Sequence, residues 1–258
     1  MKKILVYSFI LLVVILTGCK ATGEASDGKV ELTVSAAASM TDSLLEIKEN
    51  FESVYPYVKI NYNFGGSGTL RKQIEQGAGI DLFFSASEKD FQLLEEKGLV
   101  EQGDILFQNE LVVIQPVDGE YGSFAEFVEG DGKLAIGTPE AVPAGTYAYQ
   151  ALDALEALED LENRIVYTKD VRQVLTFVQE NSVDMGIVYA SDVIGEKDIK
   201  VLEKIRSELY DPINYYLAVI EGKSKHSGEW EEAIDDFYQF VMSEGMGIFK
   251  EYGFIVES

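Results

Sequence analysis

Two segments of the sequence place a serine among small residues, directly before a predicted helix. Ser39 lies in AAASMT (residues 36–41), and Ser67 lies in FGGSGT (residues 64–69). Backbone N–H groups at a helix N-terminus are free and lie at the positive end of the helix dipole, so they favour anions. Each serine adds a hydroxyl donor, and glycine lets the backbone approach a ligand closely. Taken alone, either segment is explained equally well as a helix cap or a glycine turn.

Two later segments offer backbone donors in the same way. In VPAGTY (residues 142–147), Pro143 suits the first turn of a helix and the N–H groups after it are free. In TKDVR (residues 168–172), Asp170 can cap a helix that begins directly after it. If the four junctions meet in space, they form a site of hydroxyl and amide donors for an anion.

The sequence offers few of the residues that nucleophilic or zinc-dependent catalytic sites usually need. Thr69 stands where a G-x-S-x-G nucleophile motif needs glycine, and His226 is the only histidine, in a polar stretch. A Ser–His–Asp or zinc site therefore lacks its usual components. We predict that the protein is not an enzyme and needs no cofactor. Paired carboxylates among the 45 acidic residues leave a lipid-anchored hydrolase open as an alternative.

The chain is strongly acidic, with a formal net charge of −24. Such a surface repels nucleic acid and anionic lipid headgroups, so neither is predicted as a partner. It also repels small anions at long range. An anion site in this chain must therefore work through local donors and not through net charge.

The N-terminal segment is typical of an export signal. Lys2 and Lys3 precede an apolar run over residues 4–16, which as a helix would span roughly 20 Å and is too short for a bilayer core. The run ends in LTGC, which resembles the lipobox of bacterial lipoproteins and implies cleavage before Cys19 and lipidation of its thiol. We therefore expect a signal peptide over residues 1–18, and the lipidated cysteine with a flexible tether over residues 19–29.

Strand and helix patterns alternate through the rest of the chain, which predicts an α/β fold. Predicted strands cover residues 30–38, 58–64, 81–85, 110–115, 133–137, 164–168, 185–189 and 214–221. Predicted helices cover residues 41–54, 69–76, 88–96, 144–158, 171–180, 230–243 and 245–251. The pattern restarts with the strand over residues 133–137, and the chain would cross near residues 111–115 and return near residues 213–217, so we expect two lobes, each a mostly parallel sheet flanked by helices. Lobe 1 would comprise residues 30–112 and 215–258, and lobe 2 residues 113–214.

The chain resembles the periplasmic molybdate-binding protein family from about Lys29 to its end. The resemblance rests on the order and spacing of six motifs, namely AAAS-M (36–40), DLFFSA (81–86), PEAVPAGTYA (139–148), KDVR (169–172), GIVYASD (186–192) and IFKEYGF (248–254). It implies the two-lobed type II periplasmic binding protein fold, with both lobes closing over one oxyanion.

The resemblance also implies which residues bind the oxyanion. Ser39 and Ser67 would donate their hydroxyls from lobe 1, whereas Ala144 and Val171 would donate backbone N–H groups and Tyr189 its phenol from lobe 2. The sequence departs from the family around Ser67, where a run of glycines replaces a serine-rich run. This departure puts nearby secondary contacts in doubt.

The chemistry of these donors suits molybdate or tungstate, because both are fully deprotonated at neutral pH and only accept hydrogen bonds. Hydrogen phosphate carries a proton and needs an acceptor such as a carboxylate, which none of the five positions supplies. We interpret Asp81 and Asp192, which lie close to the motifs, as structural. The resemblance implies delivery to an ABC permease and ATPase from the outer face of a bacterial cell membrane, and we expect a monomer.

Receptors of the same fold for sulfate, phosphate or ferric ion remain alternatives. Tyr215 and Tyr216 are adjacent, as are the tyrosines of ferric-ion binding proteins. Successive residues of a strand face opposite sides, however, so core or rim positions are expected for this pair.

Overall fold

The computed structural model describes residues 29–221 and 228–256. The expected signal peptide, Cys19, nearly all of the tether and His226 lie outside this part of the chain. Within it, no helix combines the length and the apolar character needed to cross a membrane.

The strands form two five-stranded sheets, ordered β2-β1-β3-β10-β4 and β7-β6-β8-β5-β9. In chain order the strands are β1 (Val30–Ala37), β2 (Val58–Gly65), β3 (Leu82–Ser85), β4 (Val100–Asn109), β5 (Leu111–Pro116), β6 (Leu134–Gly137), β7 (Ile165–Thr168), β8 (Met185–Tyr189), β9 (Ile199–Lys204) and β10 (Ile213–Ile220). The expected two-lobed α/β fold is confirmed.

Both sheets are mixed but mostly parallel, as expected, because four of the five strands in each sheet run in one direction and one strand runs against them. In the first sheet β1 pairs in parallel with β2 and β3, whereas β10 runs antiparallel to β3 and β4. The second sheet repeats this arrangement, with β6 parallel to β7 and β8 and β5 antiparallel to β8 and β9. The antiparallel strands β5 and β10 lie where the chain passes between the lobes, because a strand that arrives from the other lobe needs no helical crossover.

Helices cover the sheets and supply much of the core. They are α1 (Thr41–Val54), α2 (Ser67–Glu75), α3 (Glu88–Glu95), α4 (Phe124–Glu129), α5 (Pro143–Ala154), α6 (Leu158–Leu161), α7 (Val171–Gln179), α8 (Gly228–Phe240) and α9 (Met246–Glu251). In α1 the side chains of Leu44, Ile47 and Phe51 are fully buried, as their helical spacing predicts. Leu45, which was expected on the same side, is 44% exposed because it lies a third of a turn away.

The sequence patterns missed β4 and β9, and the reason is the same for both. Each is the last strand of its sheet, and most of its residues are not buried. An edge strand that faces solvent does not require the apolar pattern on which sequence prediction relies.

The strand pairing shows to which sheet the residues at each crossing between the lobes belong. Leu111 pairs with Tyr189 in the second sheet, and Ile213 pairs with Asn109 in the first. Residues 111–112 therefore belong with lobe 2, and residues 213–214 with lobe 1. Ladder hydrogen bonds determine this assignment, and they are not visible in a hydrophobic pattern.

The packing of α5 on β6 predicts a specific sensitivity to substitution. A Cβ atom at Gly145 would lie 2.0 Å from the Gly137 carbonyl oxygen, so Gly145→Ala must push the helix away from the strand. We expect the free energy of unfolding, measured in urea, to fall by roughly 1–3 kcal/mol. Gly247→Ala is the matched control, because a Cβ at this helical position meets nothing within 4 Å. Equal midpoints for the two variants would contradict the close contact.

Candidate functional site

Three parallel strands of each lobe end at a small cavity between the lobes. The cavity is narrow, with about 10 Å³ of space in which a water molecule can be centred, and is lined by Ala37, Ala38, Ser39, Gly65, Gly66, Ser67, Ala86, Val142, Pro143, Ala144, Val171 and Tyr189. Every lining residue belongs to the end of β1, β2, β3 or β8, or to the segment that follows β1, β2, β3, β6 or β7. All five residues that the resemblance implies as oxyanion donors are therefore brought together around one space.

The hydroxyls of both serines of lobe 1 are hydrogen-bonded to another group of the protein. Ser67 is fully buried in the first turn of α2, and its Oγ accepts a hydrogen bond from the Ala86 backbone N–H at 3.0 Å. Its hydroxyl hydrogen is thus left for another acceptor. Ser39 lies in a short 3₁₀ turn after β1, and its Oγ is 2.8 Å from the phenol oxygen of Tyr215.

Lobe 2 supplies backbone donors from the starts of two helices. Ala144 is the second residue of α5 and Val171 is the first of α7. The first four N–H groups of a helix have no partner four residues back, so these amides are free to meet a ligand. Asp170 caps α7 as expected, but its carboxylate accepts from Gln173 N at 2.9 Å and leaves the Val171 amide unused.

Tyr189 ends β8 and directs a buried phenol to the cavity. The residue is 1% exposed, and its hydroxyl makes no hydrogen bond within 3.5 Å among the described residues, although the Tyr215 phenol lies close enough to raise its pKa. Burial raises the pKa of Tyr189 well above its usual range, so the phenol keeps its proton. A buried hydroxyl without a partner costs about 1–3 kcal/mol, which an acceptor in the cavity would recover.

Neither a carboxylate nor a cationic side chain belongs to the lining of this cavity. Asp81 directly precedes β3, at the opposite end of that strand from the cavity, and accepts from Thr33 N at 2.7 Å, whereas Asp192 follows β8 and accepts from Tyr189 N at 3.0 Å. Both therefore hold strands in place, as interpreted from the sequence. The cavity presents hydroxyl and amide donors only, which suits an anion that carries no proton.

The lobes are in contact beside the cavity. The Gly68 N–H donates to the Ala141 carbonyl oxygen at 3.1 Å, and a Cβ at Gly66 would lie only 2.5 Å from that same oxygen. Arg172 of lobe 2 also pairs with Asp42 of lobe 1 at 2.8 Å. The glycines that depart from the family pattern thus allow the backbones of the two lobes to touch.

A larger cleft of about 490 Å³ opens between the lobes on the other side of residues 139–147. Its charged lining includes Arg71, which already pairs with Asp90 and Glu75. Lys89 lines the same cleft, but so do the carboxylates of Glu88, Asp90, Glu140 and Asp211, so the larger cleft is a weaker candidate for an anion than the small cavity is.

Sequence reasoning missed Tyr215 as a site residue. The sequence predicts only a core or rim position for it and Tyr216, with ferric ligation as the alternative. The two rings do lie on opposite faces of β10, since Tyr215 packs on Phe107 and Tyr216 stacks on Phe91. The motifs carry no signal for the contact with Ser39, because it depends on how β10 lies in the sheet.

Comparison with known proteins identifies similar chains. The model of the bacterial extracellular solute-binding protein family matches residues 32–255. A Bacillus subtilis protein provisionally named ABC transporter substrate-binding lipoprotein YvgL is 40% identical, over 94% of each chain. The molybdate-binding protein ModA of Escherichia coli is 34% identical, over 90% of this chain and 91% of its own.

Solved structures agree with the sequence comparison. The substrate-binding domain of a provisionally assigned molybdenum ABC transporter from Clostridium difficile is 36% identical, with a TM-score of 0.65 over 89% of this chain and all of that chain. The periplasmic molybdate-binding protein of Azotobacter vinelandii has a TM-score of 0.74 over 88% of this chain and all of its own. At 24% identity, this second likeness concerns the fold alone.

Asp192 makes the stability of the fold depend on pH. Burial raises its pKa to about 7, and its Oδ1 has no hydrogen-bond partner in the described chain. The folded state therefore holds a proton that the unfolded state has released, so this carboxyl lowers stability as pH rises from about 4 to 7. Relative to the parent, Asp192→Asn should gain up to about 3 kcal/mol between about pH 4.5 and about pH 8, measured by urea unfolding.

The control for this change is Asp184→Asn. Asp184 also accepts from a backbone amide, that of Lys133, but it is exposed. A constant difference between Asp192→Asn and the parent across the pH range would show that the Asp192 carboxyl does not titrate in this window.

Proposed function

Because the chain belongs to the bacterial extracellular solute-binding protein family, and within it to the molybdate-binding proteins, we propose that it captures molybdate or tungstate between its lobes. The protein is the substrate-binding component of an ABC transporter, and its relatives are transport proteins and not enzymes. The finer steps, namely capture of this oxyanion and its delivery to a permease and ATPase, are our proposal.

The observation that carries the proposal is the donor-only lining of the interlobe cavity. Ser39, Ser67 and Tyr189 supply hydroxyls, and Ala144 and Val171 supply helix-terminal amides. Donors from both lobes meet around the same space, so an oxyanion would link the lobes. A ligand that touches both lobes stabilises the closed state by its differential contacts.

Selectivity follows from the absence of a carboxylate in that lining. Molybdate and tungstate accept hydrogen bonds at every oxygen, and so does sulfate. Hydrogen phosphate must place one proton, and a carboxylate would receive it, but none belongs to the cavity lining. Sulfate is excluded only by size, since a smaller anion leaves some donors beyond good hydrogen-bond distance.

Ferric ion is disfavoured by the geometry of the adjacent tyrosines. Tyr215 faces the site and Tyr216 packs on the opposite face of β10, so the two phenols cannot bind one ion. The described residues also contain no group of three histidine, cysteine or acidic side chains placed to hold a metal. The donor set is instead that of an oxyanion receptor.

We propose that the protein works at the outer face of the membrane as a monomer held by a lipid on Cys19. The LTGC sequence after an apolar run supports this, as does the lipoprotein name of the Bacillus subtilis relative. The acidic surface repels anionic headgroups, so a lipid and not electrostatic attraction would retain the protein at the membrane.

Removing a serine hydroxyl tests the oxyanion site. A neutral donor to a charged oxygen is worth roughly 1.5–3 kcal/mol when buried, so Ser67→Ala and Ser39→Ala should each weaken molybdate binding by about 10- to 150-fold. Calorimetry on protein stripped of ligand measures this, with tungstate, sulfate and phosphate as competitors. We expect tungstate near parity and no phosphate binding.

The control for these variants is Ala144→Gly, which keeps the backbone donor and should change affinity little. Ser67→Ala also leaves the Ala86 amide without its partner, so each variant is first confirmed as folded by thermal melting. Phosphate binding as tight as molybdate binding, or full affinity in the double serine variant, would refute the proposed site.

Replacing Cys19 tests the anchor independently of binding. In bacterial cells, Cys19→Ser should leave the chain unlipidated, so that it is released from the membrane or accumulates as the uncleaved precursor. Fractionation and mass spectrometry of the mature N-terminus measure this. A variant that is processed and retained like the parent would mean that Cys19 is not the lipid attachment site.

A further inference from the structure

Tyr215 lies behind Ser39 and is completely shielded from solvent. Its ring packs between Phe107 and Phe254, with centroids at 5.0 and 5.3 Å, and lies 5.8 Å from the ring of Tyr189. Its phenol oxygen is 2.8 Å from Ser39 Oγ and 3.4 Å from Asn109 Nδ2. A buried phenol in the interior of a sheet is thus in direct contact with a proposed oxyanion donor.

The orientation of the Asn109 amide is fixed by the backbone. Its Oδ1 accepts from the Glu110 N–H at 2.9 Å, and a backbone amide can only donate. The NH₂ group of Asn109 must then lie on the other side, where it donates to Ser191 Oγ at 2.8 Å and to the Tyr215 oxygen. Asn109 ends β4 at the crossing between lobes, and Ser191 belongs to lobe 2.

This orientation decides the direction of the bond between Tyr215 and Ser39. Ser39 Oγ and the Asn109 NH₂ are the described groups that form a hydrogen bond with the phenol within 3.5 Å, and because the NH₂ is a donor only, Ser39 Oγ is the acceptor for the phenol hydrogen. The reverse direction would leave a buried O–H without an acceptor, at a cost of about 1–3 kcal/mol. Ser39 therefore accepts from Tyr215, and its own hydrogen is left to point elsewhere.

We propose that Tyr215 is a positioning residue that makes Ser39 an obligate donor to the ligand, and so selects for oxyanions that carry no proton. This inference rests on the proposed function and adds to it a residue outside the expected donor set. A hydroxyl that accepts one hydrogen bond also donates a stronger one, because the chain of bonds is polarised in one direction.

The arrangement at Ser67 follows the same logic with a different donor. There the Ala86 backbone N–H occupies the serine oxygen. Each serine of lobe 1 is thus oriented by a donor on its protein side, once by a main-chain amide and once by the relay through Tyr215. The Ser39 arrangement differs in that a single side-chain change can remove it.

The experiment is a pair of double-mutant cycles measured by calorimetry with sodium molybdate. Tyr215→Phe keeps the ring and removes the hydroxyl, and should weaken molybdate binding about five- to twenty-fold. If Tyr215 acts through Ser39, then Tyr215→Phe should change affinity less than twofold in the Ser39→Ala background. In the Ser67→Ala background its full effect should persist, because those residues share no hydrogen bond.

Tyr62→Phe is the matched control. Its phenol is buried in the same lobe without a hydrogen-bond partner and does not line the cavity, so its removal should leave molybdate affinity unchanged. Thermal melting of each variant without ligand confirms that it is folded. An equal loss in Tyr62→Phe would show a general effect of deleting a buried phenol and would overturn the inference.

The outcomes separate the inference from the function on which it rests. If the parent protein does not bind molybdate, the proposed function fails. If the parent binds but Tyr215→Phe is silent, or its effect is the same in both serine backgrounds, the function stands and the role of Tyr215 is refuted.

Discussion

Hydrogen-bond donors at the ends of parallel strands must find acceptors, and this requirement organises the space between the lobes. Ser67 and Tyr189 are buried, and the amides of Ala144 and Val171 begin helices that cannot satisfy them. The two sheets bring these groups together, since the carboxyl ends of β1, β2 and β8 and the segments that follow β3, β6 and β7 all line one cavity. In the proposed function, an anion that supplies the missing acceptors gains its binding free energy from these donors.

An acidic protein can bind an anion because the two effects act over different distances. The net charge of −24 acts through solvent and is screened beyond about 8 Å at physiological salt. The donors act at about 3 Å in a space from which water is largely excluded, where a hydrogen bond to a charged oxygen is strongest. The hydrogen-bond donors in the cavity would therefore set the affinity for an anion, and the surface charge would act mainly on the rate at which the anion approaches.

The sequence predicted what local chemistry determines and missed what packing determines. Asp170 as a cap and the strand-to-helix junctions at Ser39 and Ser67 follow from residue types and their spacing. The contact of Tyr215 with Ser39 joins residues 176 positions apart, through a strand whose place in the sheet no local pattern specifies. The exposed edge strands were missed for a related reason, because solvent places little constraint on their residues.

The contact between the lobes at Gly66, Gly68 and Ala141 is made of main-chain atoms. Side chains can change rotamer to accommodate a guest, whereas a peptide amide held against a carbonyl cannot. The backbone contact therefore fixes the separation of the two lobes. In the proposed function, an anion of the right size accepts hydrogen bonds from both lobes, whereas a smaller one leaves the donors of one lobe without an acceptor. This contact tolerates few substitutions, because a methyl group at position 66 would push the lobes apart and change the size of the space between them.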